Sequence, residues 1–243
     1  MVYLINIKLR DDYSNFIFYL SPLVAVVLTL FFGSFIFLIL DLSPIESFKI
    51  FFISPISNSY GISELFVKAT PLAIIALGLS YCFKNNIYNI GAEGQLTMGA
   101  IFGGGIGILF HDTNAFWLLP LMIFAGAIGG ALWGLIPAIL KTKFNTNEIL
   151  TSLMLVYVAL YILDYLVVGP WKDPFGFSFP KSRPFSESGR MPLLFDGLRV
   201  HFGLIITLVL IFASWFVFSK TMFGFQLKVC LLYTSDAADD SLR

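Results

Sequence analysis

The sequence predicts an all-α, polytopic transmembrane helical bundle of about six apolar segments, and three observations carry that prediction. First, 58% of its 243 residues are hydrophobic and only 12% are charged, outside the usual range of soluble domains. Second, the mean hydropathy is +0.86, and the charges fall between long apolar stretches rather than inside them. Third, glycines recur every four residues in two of those stretches, the spacing that lets membrane helices approach backbone to backbone.

An ionised side chain at the bilayer centre costs at least about 2.5 kcal/mol, so charges delimit the candidate spans. The first, residues 15–40, carries no charge before Asp41 and is long enough to cross a hydrocarbon layer of about 30 Å. The second is read at 65–83, with Lys68 near its start and able to snorkel. The third, 95–110, is short and glycine-rich, either a brief span or a re-entrant piece. The fourth, 115–140, ends at Lys141 and Lys143, and the fifth, 148–168, contains Asp164. Residues 169–200 hold Pro170, Pro174, Pro180, Pro184 and Pro192, which forbid a continuous helix. The sixth span is 201–219.

A cytoplasmic N-terminus places Lys8, Arg10, Lys84, Lys141, Lys143, Lys220 and Lys228 on the inner side, as the bias of basic residues toward the cytoplasm favours. The basic residues of 169–200 oppose that assignment. The apolar run after Arg10 is too long for a signal peptide and is read as a retained span. Trp117, Trp171 and Trp215 are expected at the membrane interfaces.

Several function classes drop out. The formal net charge is zero and no basic run exists, so nucleic acid is not an expected partner. Cys82 and Cys230, like His111 and His201, lack metal-ligand spacing, so no metal is expected. Gly103 to Gly105 sit in an apolar stretch without the lysine of a phosphate loop, and no protease or esterase motif is present, so no catalytic residue is assigned.

The informative stretch runs from Lys84 to Ala100, KNNIYNIGAEGQLTMGA, where an amide-rich segment punctuated by glycine interrupts two apolar spans. Irregular backbone at membrane depth is tolerated only when buried in protein or facing a watery cavity. Two readings stand: a pathway-lining or gating element, or polar groups that bond neighbouring helix ends and fix the bundle. Asp164 likewise is either part of a proton or cation relay or a carboxylate exposed near the external interface.

YNIGAEGQLTMGA, from Tyr88 to Ala100 behind Pro71, resembles the permeases of ABC importers of the ribose, branched-chain amino acid and nucleoside group, most closely the nucleoside type. Further segments similar to that family follow in order: GALWGLIPAILKTKF from Gly130, NEILTSLMLVYVA from Asn147, YLVVGPWKDP from Tyr165 and KTMFGFQLKV from Lys220. The resemblance implies a non-catalytic subunit that moves a small polar solute, a nucleoside by preference, through alternating access. It also implies a cytoplasmic ABC ATPase that uses the ATP, a second related permease and an extracytoplasmic substrate-binding lipoprotein, all at the cell membrane. No cofactor is expected in the chain itself.

Carried over by position, Asn89, Gly91, Glu93, Gly94 and Gln95 resemble the family's pathway motif, and Asn147 and Glu148 its second polar motif. Lys220, Thr221, Gly224, Phe225 and Lys228 resemble the start of the loop that engages the ATPase. A rival is an ion-gradient-driven carrier that uses Glu93 and Asp164 as coupling carboxylates. The resemblance ends near Val229, where family members continue into further spans, while Cys230 to Asp240 looks like a translated sequencing adapter. The expected organisation is therefore a permease domain over 1–229 and a non-native tail over 230–243.

Overall fold

The structure, a computed structural model, describes residues 15–177 and 179–227. Lys8, Arg10, Lys228, Cys230 and the tail lie outside the described residues. Seven α-helices are complete among the described residues, and no strand forms there beyond two isolated bridges, Lys172 with Ser182 and Leu193 with His201. The chain divides into two compact units, Met1–Ile62 and Ser63–Arg243.

The first unit holds α1 (Asn15–Ile39) and α2 (Pro44–Phe48), then a π-helical turn at Lys49–Ile53 and a 3-10 turn at Ser54–Ile56. α2 starts where sequence rules place a start: Pro44 stands in its first turn, and Ser43 Oγ accepts from the Glu46 amide at 3.3 Å. Phe37 packs against Phe48 and Phe51, with ring centroids 5.4 Å and 6.4 Å away. α1 is apolar all round with none of its span buried, the pattern of a helix whose solvent is hydrocarbon.

α3 (Ser59–Phe83) leads into the second unit, followed by α4 (Ala92–Leu109), α5 (Leu118–Phe144), α6 (Glu148–Val168) and α7 (Gly203–Lys220). α1, α3, α5, α6 and α7 are long and apolar enough to cross a membrane. α4 is the short apolar segment of the sequence reading, diluted by Glu93, Gln95 and six glycines. It nevertheless holds the centre, because its small residues admit a neighbour on each side. Its buried residues include Gly94, Met98, Ile101, Gly103 and Gly107.

Two boundaries differ from expectation. α3 begins at Ser59 rather than near residue 65, so Lys68 lies in its third turn and Pro71 stands mid-helix. Pro71 has no N–H to give the Val67 carbonyl one turn back, and beside it buried Thr70 donates its hydroxyl to the Phe66 carbonyl at 2.7 Å. α5 runs past Lys141 and Lys143 to Phe144, placing both lysines in its last turn, where the helix dipole favours cations.

The proline-rich segment forms no α-helix, as expected, but it is not a loose connection. Ser188 Oγ donates to the Thr113 carbonyl at 3.0 Å and accepts from the Ala115 amide at 3.3 Å. A Cβ added to Gly107 would meet the Phe185 ring, and one on Gly105 the Trp171 ring, so this segment seals one end of the α4–α5 pair. Trp171 packs onto the core of Met98, Ile101 and Ala159.

Candidate functional site

The site is built where α3 ends and α4 begins. Asn85 Nδ2 donates to the Tyr81 carbonyl at 2.7 Å and Asn86 takes the left-handed conformation at φ 54°, which together close the C-terminus of α3. Asn89 Oδ1 accepts from the Gly91 amide at 2.9 Å, the local turn bond that asparagine makes readily, and α4 starts one residue later. Each of these amides has a backbone group to satisfy, as the helix-end reading of the sequence requires.

The glycines of the motif set how closely α4 meets its neighbours. A Cβ on Gly91 would stand 2.9 Å from Ser152 Cβ, and one on Gly94 2.9 Å from Val156 Cα, so α4 lies almost on the backbone of α6. Ser152, 2% exposed, anchors this crossing by accepting from the Ile90 amide at 3.3 Å. Along the other side, a Cβ on Gly99 would stand 3.0 Å from the Gly126 carbonyl oxygen, and one on Gly103 2.7 Å from that of Met122. The sequence predicts a close backbone neighbour for each of these glycine stretches, and the structure shows that they are neighbours of each other, running antiparallel. Trp133 Nε1 donates to the Leu155 carbonyl at 3.3 Å and ties α5 to α6.

Two cavities open beside this contact. One, of about 340 Å³, separates α3 from the α4–α5 pair and is walled by Ile75, Gly78, Leu79, Leu96 and Ala127 among others. The second, of about 230 Å³, lies among the end of α3, α5 and the start of α6, with Lys141, Glu148 and Ser152 in its wall. Cys82, Asn89 and Gln95 line both, so these three residues stand at the junction. A Cβ on Gly134 would meet Gln95 Nε2 at 3.0 Å, which fixes the amide against α5.

Of the residues singled out by sequence, Asn89, Gln95 and Glu148 line cavity walls, while Gly91 and Gly94 act behind them as points of close approach. Glu93 is exposed in the first turn of α4 and borders neither cavity. Asn147 caps α6, its Oδ1 accepting from the Ile149 amide at 2.9 Å and the Leu150 amide at 3.4 Å. Glu148 pairs with Lys141 Nζ at 2.8 Å across the α5–α6 turn. Asp164 is exposed near the far end of α6, so it and Glu93 stand at opposite ends of helices that run parallel.

The segment read as the coupling element begins with a built turn. Thr221 is extended; its Oγ1 donates to the Val217 carbonyl at 2.6 Å and accepts from the Gly224 amide at 3.2 Å, capping a helix over 222–227. A Cβ on Gly224 would collide with the Val217 and Phe218 carbonyls, so glycine is needed for the chain to fold back there. Phe225 follows within that helix, and Lys220 closes α7.

Sequence reasoning does not find Cys82, Ser152 or the joint between α3 and α7. In that joint Ser214 Oγ donates to Tyr81 OH at 3.0 Å, Tyr81 stacks on Phe218 at 4.1 Å, and Lys84 Nζ lies 3.7 Å over the Phe218 ring. The hydroxyl residues of α3, α6 and α7 are too many for the sequence to single out the pair that meets.

The family described as branched-chain amino acid transport system / permease component matches residues 61–232, from the start of the second compact unit onward. The chain belongs to that permease family. Among curated relatives of this permease, it is 34% identical over 219 residues to the glucose ABC transporter permease protein TsgB13 of Haloferax volcanii, covering 86% of this chain and 57% of the relative. It is 31% identical to the guanosine ABC transporter permease protein NupP of Bacillus subtilis, over 86% of this chain and 60% of that protein. It is 28% identical to the nucleoside ABC transporter permease protein NupB of Lactococcus lactis subsp. cremoris, over 86% and 59% respectively. The permease chain thus spans about three-fifths of the length of these relatives. No solved structure matches it significantly.

Proposed function

We propose that the chain is a membrane-spanning, non-catalytic permease subunit of an ATP-binding-cassette importer for a small polar solute, a nucleoside. The observation that carries this reading is the family's NIGAEGQ segment standing at the junction of two cavities, with Asn89 and Gln95 in the walls of both. Two of the relatives above are named for guanosine or nucleoside transport, which supports that substrate class. The partners are a cytoplasmic ATPase that uses the ATP, a second related permease, an extracytoplasmic substrate-binding lipoprotein and the bilayer itself.

In this reading the pathway motif, Asn89, Gly91, Glu93, Gly94 and Gln95 with Asn147 and Glu148, forms a gating region. α3 walls the larger cavity on one side, which leaves it room to move against α4 and α5. Its end is tied through Tyr81 and Lys84 to Phe218, two residues before the proposed coupling segment Lys220, Thr221, Gly224, Phe225 and Lys228. A push on that segment from the ATPase therefore reaches the cavity wall. The N-terminus is cytoplasmic, which gathers Lys84, Lys141, Lys143 and Lys220 on the inner face with the coupling segment.

The ion-coupled alternative is not favoured. Its two carboxylates, Glu93 and Asp164, do not share a cavity, and the relatives are permeases of ATP-driven systems. The test is guanosine uptake into cells that express the chain with its ATPase, the second permease and the binding lipoprotein. Uptake is expected to stop on ATP depletion and to survive a protonophore while ATP is clamped. Uptake that persists without ATP and collapses with the ion gradient sinks the reading.

A further inference from the structure

The outer face of α6 is chemically unlike that of α7. Tyr157, Tyr161 and Tyr165 recur every four residues and are 54%, 72% and 71% exposed, with exposed Asp164 between the last two. At 1.5 Å per residue the three phenols climb about 12 Å, and Tyr157 stands near the middle of the 21-residue helix. Against about 100° of turn per residue, this face points away from Ser152, Val156 and Ala159, which bury against α4.

Hydrocarbon is a poor neighbour for such a face. Ionisable groups within spans face a bundle interior or a watery cavity, and phenol hydroxyls deep in the bilayer leave donors without partners. The contrast within the molecule is direct: the exposed face of α7 presents Leu208, Val209, Phe212 and Phe216, without a charge or a phenol among them. α7 therefore suits lipid along its length, whereas α6 mixes phenols and a carboxylate with the apolar Leu150, Met154 and Val158.

We propose that Tyr157, Tyr161 and Tyr165, with Asp164, form a water-facing ladder that contacts the transported solute, and that the solute is a planar heterocycle such as a purine. Rings one turn apart on a single helix offer successive stacking surfaces. Their hydroxyls and the Asp164 carboxylate offer acceptors for ring N–H and sugar hydroxyl groups. The α3–α5 cavity lies on the opposite side of α6 and serves movement of the gate, so the two features divide the work. This inference rests on the importer reading for its solute, but its water-facing part stands independently of it.

The test uses the assembled importer in membranes, with Cys82 and Cys230 replaced by serine and single cysteines at Tyr161→Cys or, as the lipid-facing control, Phe212→Cys. A charged, membrane-impermeant methanethiosulfonate is expected to label position 161 and leave 212 unlabelled, and guanosine but not glucose is expected to slow that labelling. Because a base stacks on an aromatic ring with a useful share of its binding energy, Tyr161→Ala is expected to raise the KM for guanosine about tenfold, while Tyr161→Phe restores it. Position 161 unlabelled by the charged reagent, labelled but indifferent to guanosine, or protected by glucose instead overturns the ladder. ATP-dependent uptake by the unsubstituted importer is scored separately, so loss of the ladder and loss of the importer reading are told apart.

Discussion

The α4–α5–α6 trio and the α3–α7 pair are both made of apolar helices, yet they are joined by different means. In the trio, glycines bring backbones into contact: a Cβ on Gly103 would stand 2.7 Å from the Met122 carbonyl oxygen, and one on Gly94 2.9 Å from Val156 Cα. In the pair, contact is made by long side chains, Tyr81 on Phe218 and Lys84 over the same ring, with Arg199 Nη1 reaching Glu64 at 3.0 Å near the other end. Without a hydrophobic force between helices inside a membrane, close packing and a few polar bonds must supply the cohesion. The trio has the packing and is the rigid body; the pair has the reach and is the part able to slide.

The sharpest way to break this comparison is one substitution made on each side of it. Gly103→Ala forces backbone against backbone in the trio, and overpacking of that kind costs about 1–3 kcal/mol. Gly78→Ala, on the α3 wall of the larger cavity, meets nothing within 4 Å and gains the better helix propensity of alanine, about 0.5–1 kcal/mol. Thermal unfolding in detergent should therefore move down for the first and hold or move up for the second. Equal losses at both positions would mean that α3 is as tightly seated as α4.

How far this contrast is legible in the sequence depends on what each contact is made of. Backbone contact leaves a periodic trace: Gly99, Gly103 and Gly107, like Gly126, Gly130 and Gly134, announce a close backbone neighbour in the order of residues alone. The crossing of α4 with α6 leaves almost none, because its halves, Gly91 with Ser152 and Gly94 with Val156, lie far apart in the chain and only one half is glycine. The start of α3 eludes the sequence because a charge reads as a boundary, whereas Glu64 sits inside the helix and pairs with Arg199. The cavity walls Asn89 and Gln95 follow from the motif, while Cys82 and Ser152 give no sign because a small residue in an apolar run has no partner visible in one dimension.

An effect of similar size tests whether the trio is held by packing alone. Ser152 is 2% exposed and its hydroxyl both donates to the Ile149 carbonyl at 3.2 Å and accepts from the Ile90 amide at 3.3 Å. Ser152→Ala keeps the close approach of Gly91 but leaves that amide unpartnered, so a loss of about 1–3 kcal/mol is expected. Ser152→Gly removes the same bond and adds room, and its loss over alanine beyond the about 0.5–1 kcal/mol that glycine costs any helix interior reads the packing share. If alanine costs nothing, the α4–α6 crossing needs no polar anchor, and glycine contact suffices.

The smallest effect belongs to the turn that joins α5 to α6. Asn145 ends α5 in the left-handed conformation, Asn147 caps α6, and Lys141 Nζ meets Glu148 at 2.8 Å, so three local devices fix one short connection. The lysine side chain is 44% exposed, and an ion pair so placed is worth about 0–1 kcal/mol because water and salt screen it. A double-mutant cycle of Lys141→Met and Glu148→Gln is therefore expected to give a coupling at the low end of that range, weakening as salt is added. Both residues also line the smaller cavity, so the same variants report on function. A negligible coupling in stability together with a large fall in uptake would assign the pair to the gate, whereas a large coupling with normal uptake would make it a structural clasp for the trio.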